Sequence, residues 1–180
     1  MSFIYYKNDF LRIIDFNSNH LTEKYVGWLN NQEIVKFSEQ RHIDHSLESC
    51  KEYFDENQQS NNLFLAIEYL DKETNEYIHI GNIGVNKDSK NKYADISIII
   101  GEKNYWGEGI GFFGIKGVVS YLFNNEGLHL ITCGTTSENT GMVKLMEKLK
   151  MNPKVTLKER FFVENKWCDL IQGYLINPYH

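Results

Sequence analysis

Between residues 105 and 111 the chain reads Tyr-Trp-Gly-Glu-Gly-Ile-Gly, and Ile110, Phe113, Gly117, Val118, Tyr121 and Leu122 then follow at helical spacing. A glycine-rich turn that runs into a helix can bind an anion. The first backbone N–H groups of a helix have no partner within it, and the helix dipole favours negative charge there. Glycines let a phosphate approach the backbone without an intervening Cβ. The alternative is a tight strand-to-helix turn that binds nothing. The lysine-bearing P-loop is excluded, because no Gly-Lys-Ser/Thr follows the glycines. Gly109-Ile110-Gly111-Phe112-Phe113-Gly114 does spell the dinucleotide fingerprint. Its context differs: five residues separate the preceding strand from Gly107, and the next strand carries no acid to hold a ribose.

Other reactive residue types are sparser. His42-Ile43-Asp44-His45 invites a metal, but no third ligand group stands near it, so a loop and helix cap is expected and no metal. Cys50, Cys133 and Cys168 are odd in number and far apart, which fits neither a disulfide framework nor a zinc knuckle. Reduced thiols in a cytoplasmic protein are the expectation. There is no Gly-x-Ser-x-Gly elbow to present a nucleophile.

The elements around these residues follow from apolar periodicity. Phe10–Asp15 reads as a first strand. Ser18 or Thr22 caps a helix through Leu29, which Asn30 and Asn31 stop, and Asp44 or Ser46 caps a second one carrying Leu47, Cys50, Tyr53 and Phe54. Three strands joined by short polar turns, 63–70, 77–85 and 94–101, form an antiparallel meander. The helix from Ile110, a strand over 128–136, a helix over 139–150 and a closing hairpin (155–163, 167–176) complete the chain. The order β-α-α-β-β-β-α-β-α-β-β predicts an α+β fold with a mixed, mostly antiparallel central sheet flanked by helices.

Length and composition set the outer bounds. The 180 residues, 42% hydrophobic and 24% charged, fit a single domain over 1–180 and exclude disordered, collagen-like and coiled-coil chains. A net charge of −5 gives no basic face for nucleic acid. No apolar run approaches the ~18–20 residues of a membrane span. Met1–Phe10 alternates polar and aromatic residues around Lys7 and Asp9, unlike a signal peptide. Neither Pro153 nor Pro178 marks a linker. Phe161, Phe162, Trp167 and Tyr174 on the closing hairpin would leave an aromatic face at a sheet edge, so a homodimer is possible.

Residues 94–111, Ala-Asp-Ile-Ser-Ile-Ile-Ile-Gly-Glu-Lys-Asn-Tyr-Trp-Gly-Glu-Gly-Ile-Gly, resemble the acetyl-CoA signature of the GNAT N-acetyltransferase superfamily, Arg/Gln-x-x-Gly-x-Gly/Ala at a helix start. Trp106 stands at the Arg/Gln position, and Gly109 and Gly111 are the two small residues. Trp-Gly-x-Gly looks like the branch of RimJ/RimL-type and spermidine-type acetyltransferases. A second block, Gly127-Leu128-His129-Leu130, Thr136-Ser137-Glu138-Asn139 and Lys144–Met151, is similar to that branch's "Gly-Leu … Asn-x-x-Ser/Ala … Glu-Lys-x-Gly-Phe". There are departures. Lys150 and Met151 replace the usual Gly-Phe, so the helix end must be capped differently. Met142 replaces the serine, and Met146 stands where many members carry a tyrosine acid.

The resemblance implies acetyl-CoA as acetyl donor and direct attack by a primary amine on the thioester. On that reading Ile99, Ile100 and Gly101 offer backbone groups to the pantetheine arm. Trp106, Gly107, Glu108, Gly109, Ile110 and Gly111 hold the pyrophosphate, and Asn139 bonds the amide chain. Strand alternation puts Asp95, Ser97, Ile99 and Gly101 on one face, making Asp95 the preferred base, with Glu102 and Glu68 as rivals. Ser137, Thr136 and Tyr105 are candidate acids. Glu39 and Arg41, in the loop between the first two helices, are expected at the acceptor. The Ser-Glu-Gln-Arg-His loop also looks like acetyltransferases that act on nucleotide-linked amino sugars, where Arg41 would meet a phosphate. Protein N-termini and polyamines are other acceptors, and the net negative charge mildly favours a cation. A GNAT-like module that binds acyl-CoA without turnover, and a dinucleotide-dependent enzyme, are the alternatives.

Overall fold

A computed structural model describes residues 3–151 and 155–179; Met1, Ser2, Asn152, Pro153, Lys154 and His180 lie outside the described set. Eight strands form one sheet: β1 (Ile4–Lys7), β2 (Leu11–Asp15), β3 (Leu63–Leu70), β4 (Tyr77–Asp88), β5 (Tyr93–Ile100), β6 (Leu130–Thr136), β7 (Val155–Val163) and β8 (Lys166–Ile176). The spatial order is β1-β2-β3-β4-β5-β6-β8-β7, and every neighbouring pair is antiparallel except β5 and β6. The helices are α1 (Glu23–Leu29), α2 (Gln32–Val35), α3 (Leu47–Gln58), α4 (Ile110–Asn124) and α5 (Thr140–Lys148).

The α+β class holds, with two additions. A first strand, β1, pairs with β2, and a short helix, α2, follows α1. Asn31 does not simply stop the chain; its side chain accepts from the Glu33 N–H and caps α2. Thr22 and Ser46 are the caps of α1 and α3, while Ser18 opens a single 3-10 turn.

Two apolar layers sandwich the sheet. Ile110, Ile115, Val118 and Leu122 of α4 pack on Leu11, Ile13, Ile67, Ile83 and Ile96, all essentially buried. On the opposite face Tyr25, Trp28 and Leu29 of α1 and Cys50 of α3 cover Ile14, Phe16 and Ala66. At roughly 25 cal/mol per Å² of apolar surface, these faces supply most of the favourable folding energy. Helix α5 lies on the α4 side, where Met146 and Met151 pack against Cys133. Its end is a Schellman motif built without glycine. Met151 N–H reaches the Met146 carbonyl and Lys150 N–H the Glu147 carbonyl, both at 3.0 Å, with Lys150 at φ +57°.

Candidate active site

Strands β5 and β6 are paired over three positions only, Tyr93 with Leu130, Ala94 with Ile131 and Asp95 with Thr132. Beyond Asp95 and Thr132 they part, and a cleft of about 1240 Å³ opens between them. It extends past the start of α4 on one side and under α1–α3 on the other. Gly101 N–H donates to the Ile80 carbonyl and Leu130 N–H to the Lys92 carbonyl, which sets the phase of β5. Asp95, Ser97 and Ile99 turn their backbone groups to β4, whereas Ile96, Ile98 and Ile100 turn theirs to the open edge. Of the expected trio, therefore, Ile100 faces the cleft with its backbone, Ile99 lines it with its side chain, and Gly101 is packed on the Trp28 ring outside it.

The far end of the cleft is the start of α4. Gly107 and Gly109 take φ of +83° and +77°, a left-handed backbone open to glycine at little cost. Gly109 is the N-cap and brings no side-chain hydrogen bond, whereas α1, α2, α3 and α5 are each capped by a side chain. The first turn of α4 thus presents uncapped N–H groups to the cleft. Gly107, Gly109, Ile110 and Gly111 line it, and the Glu108 side chain is exposed outside it. The Trp106 indole N–H donates to the Ile100 carbonyl at 2.8 Å and so closes the last open carbonyl of β5. Lys144 and Lys148 of α5 also line this end. They escaped the sequence reading, although their four-residue spacing behind Asn139 places them on one helical face. Asn139 caps α5, its side-chain oxygen accepting from Met142 N–H at 3.1 Å, and borders the same cleft.

Asp95 sits where the strands part. Thr132 Oγ1 donates to Asp95 Oδ1 and is itself hydrogen-bonded to the Tyr93 hydroxyl at 2.8 Å. Burial raises the Asp95 carboxyl above its ordinary pKa, and the Thr132 hydrogen bond opposes that rise. A raised carboxylate is a stronger base while it still ionises near neutrality. The rivals are committed elsewhere and do not line the cleft. Glu102 accepts from Trp28 Nε1 at 3.1 Å and pairs with Lys24 at 3.0 Å. Glu68 is buried between Arg12 and His20; desolvation would raise its pKa, but hydrogen bonds from His20 and Arg12 outweigh this and hold it low.

Among the expected acids, Tyr105 lines the cleft, its ring 4.7 Å from that of Tyr69. Thr136 is buried outside it, and Ser137 is turned to the Asp169 carbonyl through its N–H. Met146 is fully buried and offers no proton. Cys133 is buried beside Asp95, and burial first, then that carboxylate, pushes its thiol up to about 12, so it is no nucleophile. Glu39 reaches the rim, while Arg41 is drawn back, donating to the Ser38 carbonyl at 2.7 Å and to Glu39 at 2.9 Å. No cluster that could hold a metal exists among the described residues.

The family described as acetyltransferase (GNAT) domain matches residues 11–152. The uncharacterized N-acetyltransferase p20 of Bacillus licheniformis is 32% identical over 106 residues; the match spans 58% of this chain and 58% of that relative's length. The spermidine N-acetyltransferase of Vibrio cholerae, in complex with CoA and spermine, superposes with a TM-score of 0.81 at 21% identity, covering 94% of this chain and 97% of that one. A GNAT-family acetyltransferase from Bacillus anthracis gives 0.77 at 19% identity, covering 95% and 97%. At such identities the two structures attest the fold.

Proposed function

Because the chain belongs to the acetyltransferase (GNAT) family, we propose that it is an N-acetyltransferase that moves an acetyl group from acetyl-CoA to a primary amine. The observation that carries this reading is the parting of β5 and β6 toward an uncapped, doubly left-handed glycine turn. An elongated cofactor with an amide arm and a pyrophosphate fits such a cleft: the open edge of β5 is a ladder without a partner, and the helix start is an anion site. Acetyl-CoA, when bound, supplies the activated thioester.

The chain's own groups do the rest. Ile98 presents its N–H and carbonyl and Ile100 its N–H along the arm, the Ile100 carbonyl being taken by Trp106, and Asn139 lies beside it. Gly107–Gly111 hold the pyrophosphate with backbone N–H groups, and Lys144 and Lys148 add positive charge for phosphate. Asp95, at the end of the paired ladder, removes the proton from the attacking amine directly or through one water. The leaving thiolate takes a proton from solvent or the one that Asp95 has removed. No enzyme nucleophile is needed, since the amine attacks the thioester itself.

Within the family, the Trp106-Gly107-Glu108-Gly109 turn favours the RimJ/RimL-type branch. The acceptor is a small molecule or a protein N-terminus. A nucleotide-linked amino sugar is weakened as a candidate by Arg41, which is spent on Ser38 and Glu39. Three unpaired, buried cysteines suit a cytoplasmic location. The β7–β8 edge, with Leu157, Phe162 and Trp167 about half exposed or more, is our candidate for a homodimer contact. The test is titration with CoA followed by a thiol-release assay with acetyl-CoA across an amine panel. CoA binding without thiol release on any amine would leave a binding module in place of an enzyme, the role that Met146 in place of a tyrosine would suit.

A further inference from the structure

The β5–β6 ladder carries a chain of three polar side chains, of which the reaction above uses only the last. Tyr93 and Asp95 alternate along β5 and share a face, and Thr132 is the β6 residue paired with Asp95 on that face. Thr132 Oγ1 donates to Asp95 Oδ1, and the Tyr93 hydroxyl lies 2.8 Å from Thr132 Oγ1. Thr132 is buried and Tyr93 half-buried.

Counting protons gives the chain a direction. A threonine hydroxyl has one proton to donate and lone pairs to accept with, whereas an ionised carboxylate only accepts. While Asp95 is ionised, the Thr132 proton is spent on Oδ1, so the contact with Tyr93 is a donation from Tyr93 to Thr132. Hydrogen bonds in series polarise one another, so Tyr93 makes Thr132 a better donor. The two carboxylate oxygens become unequal. Thr132 holds Oδ1, and Oδ2 takes no hydrogen bond from the described residues. The side-chain atoms there that are both sealed and without a partner are His45 Nε2, Asn82 Oδ1 and Thr136 Oγ1. Oδ2 is therefore not sealed, and Asp95 lines the cleft.

The surroundings offer no other control. Asn86, opposite Asp95 on β4, is uncharged. Cys133, the next residue of β6, keeps its proton up to about 12. Tyr174 of β8 stands one strand beyond, opposite Thr132. What acts on the Asp95 carboxyl is burial, which favours the neutral form, against the Thr132 hydrogen bond, which favours the charged one.

Building on the reading of Asp95 as the base, we infer that Thr132 and Tyr93 are its positioning residues: Tyr93 fixes the Thr132 hydroxyl as a donor, Thr132 holds Oδ1, and the open Oδ2 is the atom that takes the amine proton. In that step the nitrogen lone pair forms the N–C bond, and the C–S electron pair leaves with the thiolate. The nitrogen's proton passes to Oδ2, and from there to the thiolate or to solvent. The neutral acid still offers Oδ1 as a carbonyl acceptor, so the chain from Tyr93 survives the transfer without rearranging.

The test reads Asp95 directly, in the full chain and without an acceptor. Its side-chain carboxyl carbon is followed by NMR through an acid-to-neutral titration and assigned by its loss in Asp95→Asn. Thr132→Val exchanges the hydroxyl for a methyl at similar shape. It should raise the Asp95 midpoint by about one pH unit, the share of one donor where two or three lower a carboxylate by about two units. Tyr93→Phe should move it the same way by less, and Thr132→Ser should restore it. A purely structural role would lower the melting temperature and leave the midpoint in place. With an amine that wild type turns over, the acid limb of kcat/KM should follow the NMR midpoint from variant to variant. CoA affinity by titration should stay within about threefold. An unmoved midpoint in folded Thr132→Val, or in Tyr93→Phe if the valine variant does not fold, overturns the inference and leaves the acetyltransferase reading standing. Wild-type turnover in Asp95→Asn removes the base and this inference with it. CoA binding with no thiol release on any amine overturns the acetyltransferase reading itself, whatever the midpoint does.

Discussion

Replacing Asp95 by Asn separates catalysis from folding. The substitution keeps the side-chain shape and an oxygen to accept the Thr132 hydroxyl hydrogen bond, but it removes the carboxylate that takes the proton. General-base loss costs roughly 10²–10⁴ in rate, so turnover should fall by that factor while acetyl-CoA affinity stays within a few-fold. Stability should move the other way. Burial raises the folded-state pKa of Asp95 above its value in the unfolded chain, about 3.9. The native protein therefore binds this proton more tightly than the unfolded chain does. The stabilisation is fully present below the unfolded value and is lost as pH rises through the folded one. At neutral pH wild type carries the burden of a buried charge and the amide variant does not. Melting curves from pH 3.5 to 7 should show the variant gaining on wild type as pH rises, ending at equal or higher stability. A variant that keeps half of wild-type turnover at neutral pH would remove Asp95 from the reaction. A variant that melts well below wild type at pH 7 would show that the carboxylate serves the fold.

Further outcomes follow from named contacts. Gly109→Val should weaken CoA binding at least about tenfold (~1.4 kcal/mol), since it places a branched side chain at φ +77° against the helix start; unchanged affinity by titration would refute the pyrophosphate site. Glu68→Gln should leave turnover near wild type yet lower the melting temperature, because it breaks a buried cluster with Arg12 and His20; broken buried pairs cost about 3–5 kcal/mol. Since Glu68 is held below its ordinary pKa, its contribution should fade as pH falls through the folded value, which acid unfolding of wild type and variant would compare. Lys150→Gly should raise stability by about 1 kcal/mol, or roughly 2–4 °C, by relieving a non-glycine residue at φ +57°; no rise in the melting curve would refute the capping argument. Light scattering should give a dimeric mass, and Trp167→Glu should return it to the monomer.

Local rules reached much of this architecture. Strand β3 begins and ends where alternation and polar breaks put it, and α4 starts where the glycine turn predicts. Side-chain alternation alone placed Asp95 and Ile99 on a common face, because that period belongs to any strand. Backbone direction is a different matter. Which N–H groups of β5 face the cleft depends on the register with β4, so Ile98 was overlooked and Gly101, which turns to Ile80, was included. Asn82, buried with no hydrogen-bond partner for its Oδ1, left a trace that alternation could have caught, a polar residue between Gly81 and Ile83 in the apolar middle of β4. Its missing partner is a fact of packing and has no sequence signal. Glu68 looked like a free acid because His20, its partner, is 48 residues away. Strand β1 is too short and too exposed to show a pattern; it pairs with β2, and its Tyr5 ring packs on Tyr121 of α4 with centroids 4.8 Å apart.

The short β5–β6 ladder also has a mechanical meaning. Strands β1–β5 form one leaf and β6, β8 and β7 another, joined in the sheet by three residue pairs at one end. Such a joint resists sliding near Asp95 and leaves the opposite margins of the leaves unlaced. A ligand arm lying between them works as a lace: each bond to the edge of β5 or β6 ties the leaves together without adding a strand. The two leaves should then differ in amide exchange rate when the protein is empty and converge toward a single cooperative unit when the cleft is filled, with the largest change at Ile98, Ile100 and Gly134.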